Sequence, residues 1–474
     1  MSMGNWTPTE EKVRPGMYNR FISTALSRIK SGASGIVGMP IKADWGPIGE
    51  LVDITGESEI KSVFGASGNG CTTYLLNRCL LGGTKYKPKK IVAYRMASTS
   101  AAKASVTITG SMTLTARYEG VRGNDFKYAI SANIVDDTKV DFKLYEGSEL
   151  LATYTVEPSD IAGVVKSIND AEGLIVATKV GDTELKATAS TSFTGGNSGT
   201  TVTADDYLKA LDAFEPILIN TFALDGVTDS AILASVKSWV ARVRENGKEV
   251  IFVMGGSAED DKDVSVGNNR SVAANNKAIV NVIVGTKNAT RSFNSAETAC
   301  QVAGLIAGTP ITASTTYKQL EDVTDVTVAL SDTQIKQALK SGSFILVRDV
   351  DPETYAISIK VEQGINTLTT YGANESDKFS KIKCIRTLDT IDYDTGYWAA
   401  KNVIGELDNN DDGRAALVSG IKGYLETLAN AGAISKDFLS EVDSAFVSEG
   451  DTVYLSTQAL TVDKIEKIFN SIYV

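Results

Sequence analysis

The sequence predicts a multidomain α+β protein: an α/β core with an inserted β-rich module, and a C-terminal α+β domain completed by strands exchanged between subunits. Three observations lead there. At 474 residues the chain exceeds the length over which one hydrophobic core keeps growing. Its hydrophobic period changes along the chain, from short alternating runs between Val106 and Phe193 to helical stripes that alternate with buried strands after Tyr207. Both ends carry extended, partly apolar segments, VRPGMYNRFI at Val13–Ile22 and KIEKIFNSIYV at Lys464–Val474, with no pairing partner close by in sequence.

Composition excludes several function classes. A formal net charge of -11 argues against a nucleic-acid binder, which carries a basic face. Histidine is absent, which removes Ser-His-Asp and Cys-His nucleophile pairs, imidazole general bases and His-based zinc sites. Cys71, Cys79, Cys300 and Cys384 form no CxxC pair and read as buried free thiols from a reducing cytoplasm. The N-terminus MSMGNWTPTEEK lacks a secretory signal, and no run is long enough to span a membrane, so if the protein is found outside a cell it is expected to have left by lysis.

Residues 1–22 read as an arm, because Pro8, Pro15 and Gly16 interrupt any helix, while Val13, Met17, Tyr18, Phe21 and Ile22 are too apolar for a solvated tail. The core begins over residues 23–97, with a strand, a turn containing Trp45 and a second strand within Gly35–Ile54, a helix over Thr72–Leu81 and a strand over Lys90–Arg95. Residues 98–201 form the β-rich module, with runs such as VDFKLYE (Val140–Glu146), ATYTVE (Ala152–Glu157) and LIVATKV (Leu174–Val180), closed by the linker Thr194–Thr201. The core resumes over 202–349. Thr203 caps a helix with Asp206 three residues on, and Tyr207, Leu208, Leu211 and Phe214 share a face. A second helix carries Ile232, Val236, Trp239, Val240 and Val243 and stops at Asn246–Gly247. Val250–Gly256 and Ala278–Gly285 are buried strands; a helix runs to Gly308, another opens at the Ser331/Gln334 capping box, and the strand Phe344–Asp349 follows. Strands on either side of the module need each other to complete one sheet, which makes the module an insertion.

The last domain, residues 350–464, opens on Tyr355–Gln363, where Ile357, Ile359 and Val361 alternate with polar residues. Helices then flank a polar turn. Leu417, Ile421, Tyr424, Leu425 and Leu428 line one helix, and Phe438, Leu439, Val442 and Phe446 line another. In the terminal strand, residues 465–474, Ile468, Ile472 and Val474 face one way and Phe469 and Tyr473 the other, so the segment beginning at Ile465 needs burial on both sides. A free end does not provide it.

Site-like motifs fall short of chemistry. Asp408, Asn410, Asp412 and Gly413 match the start of an EF-hand loop, but Ser419 stands where a bidentate Glu is required, and the turn reads as a helix N-terminus with its carboxylates on the positive end of the dipole. Gly65–Gly70 lacks P-loop spacing, and Gly255–Gly256 is followed by the acidic run Glu259–Asp263, which repels phosphate. Asp392 and Asp394 are a possible acid/base pair with no convergent partner in view. No metal and no cofactor is expected.

Several stretches together resemble contractile tail sheath proteins of myophages, prophage elements and tail-like bacteriocins of Gram-positive bacteria. They are VRPGMYNRF (Val13–Phe21), ARYEGVRGNDFKYAI (Ala116–Ile130), Gly195 through DDYLKALDAFE (Asp205–Glu215), QVAGLIAGTP (Gln301–Pro310) and the Gly405–Ile434 region. The resemblance implies a structural, non-enzymatic subunit of a virion or tail-like particle, assembled in the bacterial cytoplasm and released by lysis. It would form hexameric rings stacked in a helix around a tail tube, with tube, baseplate and tail terminator proteins as partners and neither direct nucleic-acid contact nor stable membrane insertion. The subunit-linking residues would be Val13, Met17, Tyr18, Phe21, Ile22, Ile465, Ile468, Phe469, Ile472 and Val474, inserted into neighbouring C-terminal domains. The residues alone leave two other readings open: an α/β enzyme acting on a phosphorylated substrate, and a surface-layer-like protein.

Overall fold

A computed structural model describes residues 2–5, 16–19, 29, 34–66, 68 and 70–473. The chain divides into two compact units, Ala33–Arg386 with Asp463–Val474, and Met1–Gly32 with Thr387–Val462. The larger is built on a six-stranded sheet in the order Ile279–Asn281, Ile251–Met254, Thr221–Ala223, Ile36–Lys42, Lys90–Met96, Leu51–Ile54. All neighbours pair in parallel except the last, which is antiparallel. Strands from before and after the β-rich segment meet at the pairing of Thr221 with Val37. The segment between them is therefore an insertion.

The pleat of these strands divides the core into two layers. Val37, Met39, Ile91, Ala93, Ile251 and Val253 face one side, against the helices Tyr74–Leu81 and Ser295–Gly308. Val92, Tyr94, Phe222, Phe252 and Met254 face the other, against Ala204–Phe214 and Ser230–Glu245. Thr203 and Asp206 form the expected reciprocal cap, as do Ser331 and Gln334. On the first helix Leu208 is exposed, not part of the buried stripe that Tyr207, Leu211 and Phe214 make. Gly304 is obligatory where two helices touch, since a Cβ there would lie 2.0 Å from the Cys79 carbonyl oxygen. All four cysteines are buried free thiols.

The inserted segment folds as a four-stranded sheet, in the order Glu149–Val156, Val140–Glu146, Phe126–Ala132, Thr188–Ser192, and a three-stranded one, Ile175–Lys179, Met112–Ala116, Ser105–Ile108. They enclose a separate core containing Leu114, Phe126, Phe142 and Ile175. The alternating runs do not announce the helix Ile161–Asp170, which is capped by Asp160 accepting from Gly163 N at 2.9 Å and buries Ile161, Val164 and Ile168. Two further helices, Glu57–Phe64 and Val264–Ala274, also lie where the sequence reading has none. The strand Ile357–Val361, assigned from sequence to the last domain, pairs antiparallel with Leu346–Val350 in the larger unit.

Candidate functional site

The smaller unit carries the helix Asp411–Asn430 and most of Ile382–Asn402. Gly420 lets the two helices close, because a Cβ there would meet the Trp398 ring at 2.5 Å. Tyr424 donates to Asp394 Oδ2 at 2.6 Å, and burial with this bond raises the phenol's pKa far above its ordinary value. Asn410 caps the second helix by accepting from Gly413 N at 2.8 Å, and Asp411 and Asp412 occupy its first turn, as the polar-turn reading expects. Arg414 donates to Asn409 Oδ1 at 2.6 Å and to the Ser448 carbonyl at 2.5 Å, while Asn409 Nδ2 donates to the Gly450 carbonyl at 2.9 Å. The turn is thus tied to the loop of a hairpin.

That hairpin corrects a sequence expectation. Phe438, Leu439, Val442 and Phe446 do not line a helix: Leu439–Val442 is a strand, paired antiparallel with Leu455–Gln458, and Phe446 stacks on Tyr454 at 5.1 Å in the connecting loop. The inward residue is Ser440, fully buried, while Leu439 faces out. Two strands make a sheet with two open edges, and among the described residues no third strand joins it. A lone hairpin is marginally stable, and each open edge offers unpaired N–H and C=O groups to an incoming strand.

The chain ends have the complementary character. Ile465, Ile468, Phe469 and Ile472 are 84%, 82%, 94% and 77% exposed and belong to no strand. Met17 and Tyr18 lie on the strand Gly16–Asn19, which pairs in parallel with Ser2–Asn5, a partner the sequence reading lacks. Val13, Phe21, Ile22 and Val474 are outside the described residues. One tail residue that sequence reasoning passed over is buried: Glu466 accepts from Thr316 Oγ1 at 2.7 Å, from Gln363 Nε2 at 2.6 Å, and from Lys381 Nζ. The sequence around it, Lys464-Ile465-Glu466-Lys467-Ile468, carries no signal for that burial.

The places where an α/β enzyme would bind a ligand are filled by the chain itself. Strand order reverses between Ile36–Lys42 and Thr221–Ala223, where a crevice normally opens at the C-terminal strand ends. There Asp225, 3% exposed, accepts from Tyr207 at 2.7 Å and Thr72 at 3.3 Å and pairs with Lys42 at 3.2 Å. Beyond Gly255–Gly256, Asp261 accepts from Ser295 N at 2.7 Å, so a carboxylate of this chain holds the helix N-terminus that a phosphate would use. Burial pushes that carboxyl up to about 6, against the lowering effect of its Ser295 hydrogen bonds. Asp392 and Asp394 are two residues apart on a helix and point to different faces, Asp394 buried and Asp392 exposed. Among the described residues no cluster of three or more Cys, Asp or Glu is placed to hold a metal, and no helix is long and apolar enough to cross a membrane.

Family models of tail sheath proteins match successive parts of the chain. They are the domain III N-terminal region over residues 34–96, the β-sandwich domain over 97–200, the central domain over 200–368 and the C-terminal domain over 374–474. The sheath tail protein of Desulfitobacterium hafniense is 30% identical, with 96% of this chain and 98% of that one aligned at a TM-score of 0.75. The phage-like element PBSX protein XkdK of Bacillus subtilis is 26% identical over 100% of both chains. The helical sheath of the anti-feeding prophage in its contracted state shares the fold, with a TM-score of 0.55 at 12% identity over 98% of this chain and 99% of that one. The sandwich inserted in an α/β core, the open-edged C-terminal hairpin and these full-length matches lead to one conclusion: the chain belongs to the phage tail sheath protein family.

Proposed function

We propose that copies of this chain form hexameric rings stacked helically around a tail tube, and that contraction of the stack drives the tube through a target envelope. The observation that carries the linkage is the pairing of two incomplete elements: a two-stranded sheet with both edges open and a tail whose apolar residues are almost wholly exposed. Strand addition supplies main-chain hydrogen bonds at such edges, and a heterologous contact that does not close builds a filament. Residues 465–474 of one copy, and the arm of residues 1–22 through the free edge of Gly16–Asn19, join the Leu439–Val442 and Leu455–Gln458 sheet of neighbours. The inserted module, residues 98–201, faces away from the tube.

On this reading the partners are further copies of the chain, the tube protein, and the baseplate and terminator proteins that end the stack. The particle is a virion or tail-like structure assembled in the bacterial cytoplasm and released by lysis. Its work is mechanical rather than enzymatic, with free energy stored in less favourable contacts of the extended array. The test is negative-stain electron microscopy of the purified chain beside a variant lacking residues 1–22. Hollow tubes from the intact chain, reduced to rings or monomers by truncation, are the expected result; tubes indifferent to the truncation sink the arm linkage.

A further inference from the structure

The polarity of the tail root is inverted. Ile465 and Ile468 stand in solvent at 84% and 82% exposure, while the Glu466 side chain between them is only 12% exposed. A tail lying passively along a surface would bury the isoleucines and solvate the carboxylate.

The surface that receives Glu466 is built for a carboxylate. The Thr316 hydroxyl accepts from Gly364 N at 2.9 Å and from Ser314 Oγ at 2.9 Å, which directs its single proton to Glu466. Gln363 precedes Gly364 and turns its amide N–H to the same carboxylate at 2.6 Å. Lys381 is placed beside them by a backbone bridge to Ile365 and completes the set with an ammonium. Three donors, one of them charged, converge on two oxygens in a half-buried setting.

We propose that Thr316, Gln363 and Lys381 form a carboxylate-binding niche that fixes the root of the C-terminal linker through Glu466, so that only the residues beyond it leave the body. Residues 467–473 then have a reach of about 23 Å in extended form. The niche sets where that reach begins and prevents the tail from peeling back when its far end is held. This purpose rests on the strand-exchange reading; the niche itself lies within one chain and is tested without assembly.

Thermolysin cleaves before exposed isoleucines once the chain around them can extend. The rate at the Lys464–Ile465 bond is measured in the full-length protein against the Asn133–Ile134 bond, where Ile134 is fully exposed. Lys381→Ala should raise the relative rate by about tenfold or more, the loss of one charge-assisted bond, and Glu466→Ala, which loses all three bonds, by at least as much. Lys381→Arg, which keeps a charged donor beside the carboxylate, should stay within about threefold of the parent, an outcome that a general loosening of the fold would not give. Glu466→Ala cleaved at the parent's rate overturns the niche, as does Lys381→Arg cleaved as fast as Lys381→Ala. Tubes that form equally well without residues 465–474 refute the exchange reading and leave the cleavage result standing.

Discussion

Trp45 offers a sharp test of how the inserted module is held. The residue belongs to the loop between two strands of the central sheet, Ile36–Lys42 and Leu51–Ile54, yet its ring lies in the module's core at 1% exposure. It stands edge-on to Tyr118 at 5.4 Å and Phe126 at 5.3 Å, with the Arg122 guanidinium 5.4 Å from the ring. Truncation of a buried Trp to Ala costs about 3–5 kcal/mol, and each edge-to-face pair adds about 0.5–1.5 kcal/mol beyond area. A loss of about 4 kcal/mol is roughly three decades in an opening equilibrium. Because the contact joins two cores, the loss should fall on the module: in Trp45→Ala, amides of Phe126–Ala132 should exchange about a thousandfold faster while those of Ile251–Met254 keep their protection. Hydrogen exchange resolved by peptide reads both. Acceleration below about tenfold in the module, or equal acceleration in both segments, refutes the reasoning.

Three other outcomes follow from the same geometry. Gly420→Leu drives a side chain into the Trp398 ring and should destabilise the smaller unit by about 2–3 kcal/mol, read as earlier loss of helix in a urea titration followed by circular dichroism. Asp225→Ala leaves Lys42 without its buried partner and Tyr207 without an acceptor, and should cost about 3–5 kcal/mol in the same titration; a cost under about 1 kcal/mol would show that the cluster is solvated. Asp44 has an Oδ1 with no hydrogen-bond partner among the described residues, and burial pushes its carboxyl up to about 6, against the attraction of Arg122 and Arg95. A raised carboxyl penalises the ionised folded state, so the cost is absent at about pH 3, grows from about pH 4 and is complete above about pH 6. Asp44→Asn should therefore exceed the parent in stability by roughly 3 kcal/mol at pH 7 and match it at about pH 3; equal stability at both pH values contradicts the assignment.

Local chemistry explains which parts of the fold are readable from the sequence. The caps at Thr203 and Ser331 need only residues three apart, and the stripe Ile232, Val236, Trp239, Val240, Val243 needs only helical spacing, so both are legible. The helix Ile161–Asp170 is not, because Ile161, Gly163, Val164 and Val165 are poor helix formers and the turn is held by burial of one face in the module's core. Phe438, Val442 and Phe446 are spaced four apart by coincidence. The decisive pairing is between Leu439–Val442 and Leu455–Gln458, across a loop that hydrophobic spacing does not encode. Glu466 is the extreme case, since Thr316 lies 150 positions away and Gln363 and Lys381 have no local signature.

The energetics of the tail explain why its apolar residues can stay exposed in a single chain. Burial of Ile468, Phe469, Ile472 and Tyr473 would return about 1.5–3 kcal/mol each, about 6–12 kcal/mol together. Ordering residues 467–473 would cost about 1–2 kcal/mol each, about 7–14 kcal/mol together. The two sums nearly cancel, and the remaining drive comes from main-chain bonds at a sheet edge, each worth about 0.5–1.5 kcal/mol net. Two free copies would therefore associate weakly. In a ring or stack the second and later links become intramolecular, and an effective concentration near the millimolar range favours them without any new contact. On the strand-exchange reading, a tail of this composition makes a single link weak and lets links accumulate once several neighbours are in place, so that growth of the array is nucleated.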